Sequence, residues 1–159
     1  MSNFNIQDIQ TLFQLAILFV ILLPVVYYDL VHHKIPNFIT ISSIISGLVI
    51  VILFWNKDIF INHILGFLTG FGVFYIFYLL KWVGAGDVKL MSGVGLVMGT
   101  PFIFYVLFYT FLIGGIIGII FLVISLIRKQ NLRKVRIPYG TAIVLGCYVA
   151  VWNQYISRI

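Results

Sequence analysis

Two of the four acidic residues in this chain stand beside long apolar stretches, where a charge is costly and usually functional. All four are aspartates: Asp29 follows the apolar run that ends at residue 28, and Asp87 directly precedes the one that begins at Val88. Two carboxylates held a few ångströms apart cannot both ionise easily, so they share a proton, and one can act as a base while the other acts as an acid. With a water molecule between them, such a pair can attack a peptide carbonyl without a metal ion or a covalent intermediate.

A different interpretation gives both aspartates a structural role. Lys34 lies shortly after Asp29, and Lys89 shortly after Asp87. Each carboxylate could therefore stand at a helix end as half of an ion pair. Composition and position alone favour neither interpretation.

The residues that flank the aspartates predict how they are held. Pro36 and Asn37 fit a helix start after a tight turn, with Asn37 as the capping residue, which would hold Asp29 at the end of the preceding helix. Gly84 and Gly86 let the backbone next to Asp87 approach another helix or a substrate closely. This Gly-x-Gly is not a nucleotide-binding loop, because it follows an apolar helix and lacks the third glycine.

The composition is that of an integral membrane protein. Of 159 residues, 62% are hydrophobic and only 9% are charged, against about 25% charged in ordinary globular domains. The apolar runs are long and continuous, which predicts an all-α membrane protein and not a barrel of short alternating strands. The length leaves room for about six spans, so residues 1–159 are interpreted as one integral-membrane domain.

Metal, cofactor and nucleic-acid functions find little support in the sequence. Cys147 is the only cysteine, which excludes a disulfide within the chain and a multi-cysteine metal site. His32 and His33 are adjacent in a polar segment and are expected to be solvated, so we expect no metal and no cofactor. The formal charge of +6 comes from lysines and arginines in segments beside the apolar runs, which indicates membrane orientation and contact with lipid and not nucleic-acid binding.

The basic residues also predict the topology. The apolar runs cover residues 11–28, 38–55, 59–80, 88–98, 102–127 and 138–155. If all six cross the membrane, every lysine and arginine except Lys57 and Arg158 falls on one side. The positive-inside rule makes that side the cytoplasm. It therefore predicts six transmembrane helices with both termini outside, and it places Asp29 and Asp87 at the cytoplasmic face.

The fourth apolar run is too short for an easy crossing. Its eleven or so residues would rise only about 17 Å as a helix, against a hydrocarbon core of about 30 Å. If its far end reaches the outer interface, Asp87 lies below the cytoplasmic surface. Irregular backbone at that depth is tolerated only where it is packed in protein or lines a wet cavity.

The chain at this point resembles a known family. The Lys-Ile-Pro-Asn at residues 34–37 after Asp29, and the Gly-Ala-Gly-Asp-Val-Lys-Leu at residues 84–90, are similar to the two signatures of type IV prepilin peptidases. The Ile-Pro-Tyr-Gly at residues 137–140 resembles a Pro-aromatic-Gly element near the last span of that family. The resemblance covers most of the chain, from about residue 18 to residue 146.

The resemblance implies an aspartic endopeptidase of the Gly-x-Gly-Asp type in the bacterial inner membrane, with Asp29 and Asp87 as its catalytic pair. It implies a prepilin or pseudopilin substrate, cut at the cytoplasmic face between a polar leader and a hydrophobic helix, in type IV pilus assembly or protein secretion. Residues of the matching motifs become candidates for supporting or substrate-binding roles: Lys34, Pro36, Asn37, Gly84, Gly86, Lys89, Pro138 and Gly140.

Two further expectations follow from the comparison with that family. Long members carry an N-terminal segment with paired cysteines that is linked to N-methylation. This sequence has none, so it resembles the short, peptidase-only forms of Flp/Tad-type pili, and no methyltransferase activity is expected. The alternatives are a broader Gly-x-Gly-Asp intramembrane protease, or a non-enzymatic transporter or pilus or secretion assembly subunit that uses the aspartates as an ion relay. Nothing in the sequence specifies an oligomeric state.

Overall fold

The helices follow the apolar runs of the sequence closely. The computed structural model describes residues 6–32, 34–127 and 139–156. In these ranges the protein is built of six α-helices: α1 (Ile6–His32), α2 (Asn37–Leu53), α3 (Lys57–Leu79), α4 (Ala85–Met98), α5 (Thr100–Ile127) and α6 (Tyr139–Val151), which continues into a π-helical turn (Trp152–Ile156). The prediction of an all-helical fold is confirmed for these residues.

Three helices, α1, α3 and α5, are long and apolar enough to cross a membrane, and α2 is a shorter apolar helix. Their outward side chains are large and hydrophobic, such as Leu23, Phe104 and Ile119, which are all more than half exposed. Several polar side chains are buried instead, among them Gln14, Ser43 and His63. An apolar surface of this extent is unfavourable in water, and it suits a lipid environment.

Helix α4 occupies the centre of the helix assembly. It packs against all five of the other helices, and most extensively against α3 and α2. All its side chains from Asp87 to Met98 are buried except that of Lys89. With 14 residues, α4 is about 21 Å long, which is shorter than the hydrocarbon core of about 30 Å. The short fourth run of the sequence is therefore a helix enclosed by protein.

Glycines bring the backbones of α3 and α4 into contact. A Cβ atom on Gly66 would collide with the carbonyl oxygen of Gly95, and a Cβ atom on Gly95 would collide with that of Gly66. One turn further along α3, a Cβ atom on Gly70 would lie 2.6 Å from the carbonyl oxygen of Met91. The Gly-x-x-x-Gly spacing of residues 66–70, which is typical of close helix contacts, marks such a contact here.

Polar groups pair tightly where α4 ends. Gly99 has a φ of +85°, a conformation that favours glycine, and it turns the chain sharply into α5. Thr100 donates its amide to the Asn62 side-chain oxygen (3.0 Å) and its hydroxyl to the Asn62 carbonyl (2.7 Å). His63 Nδ1 donates to the carbonyl of Leu96 (2.6 Å), one of the last four carbonyls of α4, which lack helical partners.

Candidate active site

Asp29 lies in the last turn of α1 but is bound by α6. The residue is only 5% exposed, and its Oδ2 accepts hydrogen bonds from the amide (2.6 Å) and the hydroxyl (2.9 Å) of Thr141. Thr141 lies in the first turn of α6, where amides have no partner within the helix and favour a negative charge. The carboxylate therefore fills the N-terminal end of a helix that is distant in sequence.

Asp87 is held by its own helix. It lies in the first turn of α4 and is 8% exposed. Its Oδ2 accepts a hydrogen bond from the amide of Gly84 (2.8 Å), while its own amide donates to the Gly84 carbonyl (3.1 Å). These reciprocal bonds fix the start of α4 and leave the second carboxylate oxygen, Oδ1, without a hydrogen bond to any residue the structure describes.

The fold brings the two carboxylates together. Asp29 lies near enough to Asp87 for their charges to act on each other. Ile35, between α1 and α2, contacts the backbone beside both of them: a Cβ atom on Gly86 would lie 3.2 Å from Ile35 Cβ, and one on Gly140 would lie 3.0 Å from Ile35 Cδ1. A Cβ atom on Gly140 would also lie only 2.8 Å from the Asp29 carboxyl carbon. Glycine at 86 and 140 thus permits the approach of three segments.

The predicted supporting residues divide into two groups. Gly84, Gly86 and Gly140 lie against the aspartates or Ile35, as described above. Lys89 and Asn37 form a second contact, in which Lys89 Nζ donates to Asn37 Oδ1 (3.1 Å) and so joins α4 to the start of α2. Lys34 is exposed, and the predicted residue Pro138 lies outside the described residues.

The predicted capping role of Asn37 is wrong. Pro36 occupies the cap position of α2, without a side-chain hydrogen bond, and its carbonyl accepts from the amides of Ile39 (3.2 Å) and Thr40 (3.4 Å). Asn37 is already the first helical residue, so its side chain is not placed to reach an amide of the first turn as a capping side chain does. It binds Lys89 instead.

The ion pair suggested for Asp87 and Lys89 is also absent, because Lys89 donates to Asn37 while Asp87 accepts from Gly84. Asp29 in turn is bound by Thr141. The structure therefore accounts for the burial of both aspartates by hydrogen bonds to helix N-termini.

Sequence reasoning missed two residues of this site. Thr141 directly follows the Ile-Pro-Tyr-Gly motif, and its place in the first turn of a helix was the one available signal. Tyr139 begins α6 and lies close enough to Asp87 for an electrostatic interaction with its carboxylate. Within the described ranges, no three His, Cys, Asp or Glu side chains are grouped so that they could hold a metal ion.

The arrangement leaves one oxygen of each carboxylate available to a water molecule. Each is anchored through Oδ2, and among the described residues Oδ1 of neither one has a hydrogen-bond partner. A pair of this kind supplies a base for the water and an acid for the group that the water attacks. Hydrolysis of an amide bond is the reaction that this chemistry fits.

Comparison with known proteins agrees with that chemistry. A sequence model of the "Type IV leader peptidase family" matches residues 16–119, a range that includes both aspartates. A "Prepilin leader peptidase/N-methyltransferase" of Legionella pneumophila is 28% identical over 155 residues, which cover 93% of this chain and 52% of the relative. One of the same name from Aeromonas salmonicida is 27% identical over 145 residues, which cover 87% and 48%. The chain thus spans about half the length of these relatives, and no solved structure matches it significantly.

Proposed function

Because this chain belongs to the type IV leader peptidase family, we propose that it is an aspartic endopeptidase that removes the leader peptide of prepilins or pseudopilins, with Asp29 and Asp87 as the catalytic pair. One observation carries the assignment to these residues. Both aspartates are buried, each is anchored at a helix N-terminus, and their charges act on each other. Such a pair can supply both the base and the acid for peptide hydrolysis without a covalent intermediate.

The reaction proceeds in two proton-coupled steps. In the first, one carboxylate takes a proton from the water while the water oxygen bonds to the scissile carbonyl carbon, and the other carboxyl group gives its proton to the carbonyl oxygen. In the second, the carbon–nitrogen bond breaks, the nitrogen receives the proton that the base took, and a hydroxyl of the tetrahedral intermediate returns a proton to the acid. The products are a carboxylic acid and an amine, and the pair regains its starting state.

The position of the aspartate pair in the membrane is part of the proposal. Six spans place Asp29 and Asp87 at the cytoplasmic face of the inner membrane and both termini outside. Support comes from the bias of basic residues and from the short, enclosed α4, whose first turn carries Asp87. Reporter fusions at the N-terminus and within residues 128–136 should report opposite sides, because five apolar runs lie between them. Reports from the same side would mean that the fourth run does not cross.

We also propose that the substrate is a small protein with a polar leader and one hydrophobic helix, and that this chain leaves the new N-terminus unmethylated. The curated relatives carry both activities in their names, but the chain spans about half their length. Mass spectrometry of the mature pilin tests this point, and a methylated N-terminus would contradict it.

Reconstituted cleavage tests the proposed function. The purified chain in lipid vesicles is mixed with candidate prepilins, and leader removal is followed on a gel. We expect cleavage by the wild-type protein and none by the double variant Asp29→Asn/Asp87→Asn. Cleavage that persists in the double variant would overturn the proposal, as would a wild-type protein that cleaves no prepilin tested.

A further inference from the structure

The two carboxylates are anchored unequally. Oδ2 of Asp87 accepts one hydrogen bond, from the Gly84 amide. Oδ2 of Asp29 accepts two, from the amide and the hydroxyl of Thr141. In both cases the amide belongs to the start of a helix, so these two donors are alike in kind. The difference between the two carboxylates is the Thr141 hydroxyl.

A hydroxyl at this position favours one protonation state. Both Thr141 donors converge on the same oxygen of Asp29, at 2.6 Å and 2.9 Å. A proton on Asp29 would therefore have to sit on Oδ1, and Oδ2 of the neutral group would accept both hydrogen bonds more weakly. Hydrogen bonds to a charged carboxylate are also stronger than those to a neutral one, so they favour the ionised form.

The contacts of Asp29 also hold it still. Its carboxyl carbon lies against Gly140, where a Cβ atom would be only 2.8 Å away. The carboxylate therefore packs directly against the first turn of α6. Because Oδ2 is bound on that side, Oδ1 is the oxygen left to face a water molecule.

We propose that Thr141 is a positioning residue that makes Asp29 the ionised, water-activating member of the pair and leaves the shared proton on Asp87. The inference rests on the proposed function and assigns the two roles in it. Asp29 Oδ1 takes the proton of the attacking water, and Asp87 gives its proton to the scissile carbonyl oxygen. On collapse of the tetrahedral intermediate, Asp29 passes its proton to the leaving nitrogen, and Asp87 recovers one from the intermediate's hydroxyl.

Few other described groups can set the charge of Asp29. From α4 it faces Asp87, and Lys89 on that helix is bound to Asn37. From α6 comes Tyr139, near Asp87. Helix α2 has no ionisable side chain. On α1 itself, His32 packs on Tyr28, and Lys34 beyond it is exposed.

The test compares Thr141→Val, which keeps the shape and the amide but removes the hydroxyl, with Thr141→Ser, which retains the hydroxyl. Prepilin cleavage is measured across pH in lipid vesicles. For Thr141→Val we expect kcat to fall about tenfold to a hundredfold near neutral pH, with little change in KM. The low-pH limb of its profile, which belongs to the pair as a whole, should move to higher pH, because the hydroxyl no longer stabilises the negative charge of the pair. Thr141→Ser should restore both the rate and the position of the limb.

Thr110→Val is the matched control, since Thr110 is a buried threonine whose hydroxyl has no partner among the described residues. Its profile should coincide with that of the wild-type protein. If Thr141→Val does not accumulate, Thr141→Ala takes its place. A low-pH limb that stays at its wild-type position, or one that Thr141→Ser fails to restore, overturns the inference while the proposed function stands. A wild-type protein that cleaves no prepilin overturns both.

Discussion

At the Met98 end of α4, the buried polar groups are hydrogen-bonded to one another. At the Asp87 end, one carboxylate oxygen has no hydrogen-bond partner among the described residues. At the Met98 end, the Leu96 carbonyl accepts a hydrogen bond from His63, whose other ring nitrogen lies 3.3 Å from the Gln14 amide nitrogen. Asn62 accepts two hydrogen bonds from Thr100 at the same end. At the Asp87 end, only Oδ2 of the Asp87 carboxylate accepts a hydrogen bond from a described residue.

This difference suggests that the Met98 end of α4 stabilises the fold and that the Asp87 end carries the chemistry. The paired end and the glycine contacts in the middle fix α4 against α3, in surroundings where an unpaired polar group would be costly. The Asp87 end can then retain a carboxylate oxygen for a water molecule, because the position of the helix does not depend on that oxygen. Substitutions along α4 and its neighbours should therefore change stability at one end and catalysis at the other.

The largest effect is expected from Gly95→Val, in the middle of α4. The new side chain would collide with the Gly66 carbonyl, and a backbone atom cannot move aside as a flexible side chain does. Overpacking of a core typically costs about 1–3 kcal/mol, and the backbone contact puts this variant at or beyond the upper end. We expect a large drop in folded protein, measured as membrane-inserted yield and melting temperature in detergent. Gly115→Ala, where a Cβ meets nothing within 4 Å, should melt at or above the wild-type temperature.

A smaller loss should follow from His63→Leu at the paired end. The substitution leaves the Leu96 carbonyl and the Gln14 amide without their partner in a buried place. Such losses cost about 1–3 kcal/mol. The melting temperature should fall, while the pH profile of prepilin cleavage by the folded fraction stays unchanged. A shifted profile would show that the two ends of α4 are not separate in function.

Lys89→Met and Asn37→Ala should each reduce kcat/KM by about two- to tenfold, because each removes the same hydrogen bond between α4 and the start of α2. Residues in contact are not additive, so the double variant should lose no more than either single one. Losses that multiply would show that Lys89 acts on the substrate and not through Asn37.

The smallest effect is expected from Asp58→Asn. Asp58 lies exposed in the first turn of α3, and its amide donates to Asn56, a bond that the substitution keeps. Melting temperature and cleavage should both match the wild type within error. A clear loss of cleavage would mean that a carboxylate outside the pair takes part.

The sequence predicted features that depend on neighbouring residues well, and contacts between residues distant in sequence poorly. Apolar runs and the costly aspartates are properties of neighbouring residues, so the helices could be predicted and Asp29 and Asp87 could be named as candidates. Thr141 binds an aspartate 112 positions away, and no local pattern carries such a contact. The Gln14–His63 contact also joins separate helices. Asn37 was misassigned because Pro36-Asn37 fits two helix starts that differ by one residue.

The central claim, that two aspartates act as one catalytic pair, is tested most directly by initial rates of prepilin cleavage for Asp29→Asn and Asp87→Asn, each purified and placed in the same vesicles as the wild-type protein. Asparagine keeps the size of the side chain but cannot exchange the proton. We expect each single variant to lose at least about a thousandfold in rate, with wild-type yield and melting temperature, and the double variant to lose no more than either one. If either single variant cleaves at close to the wild-type rate, the two-aspartate mechanism is wrong.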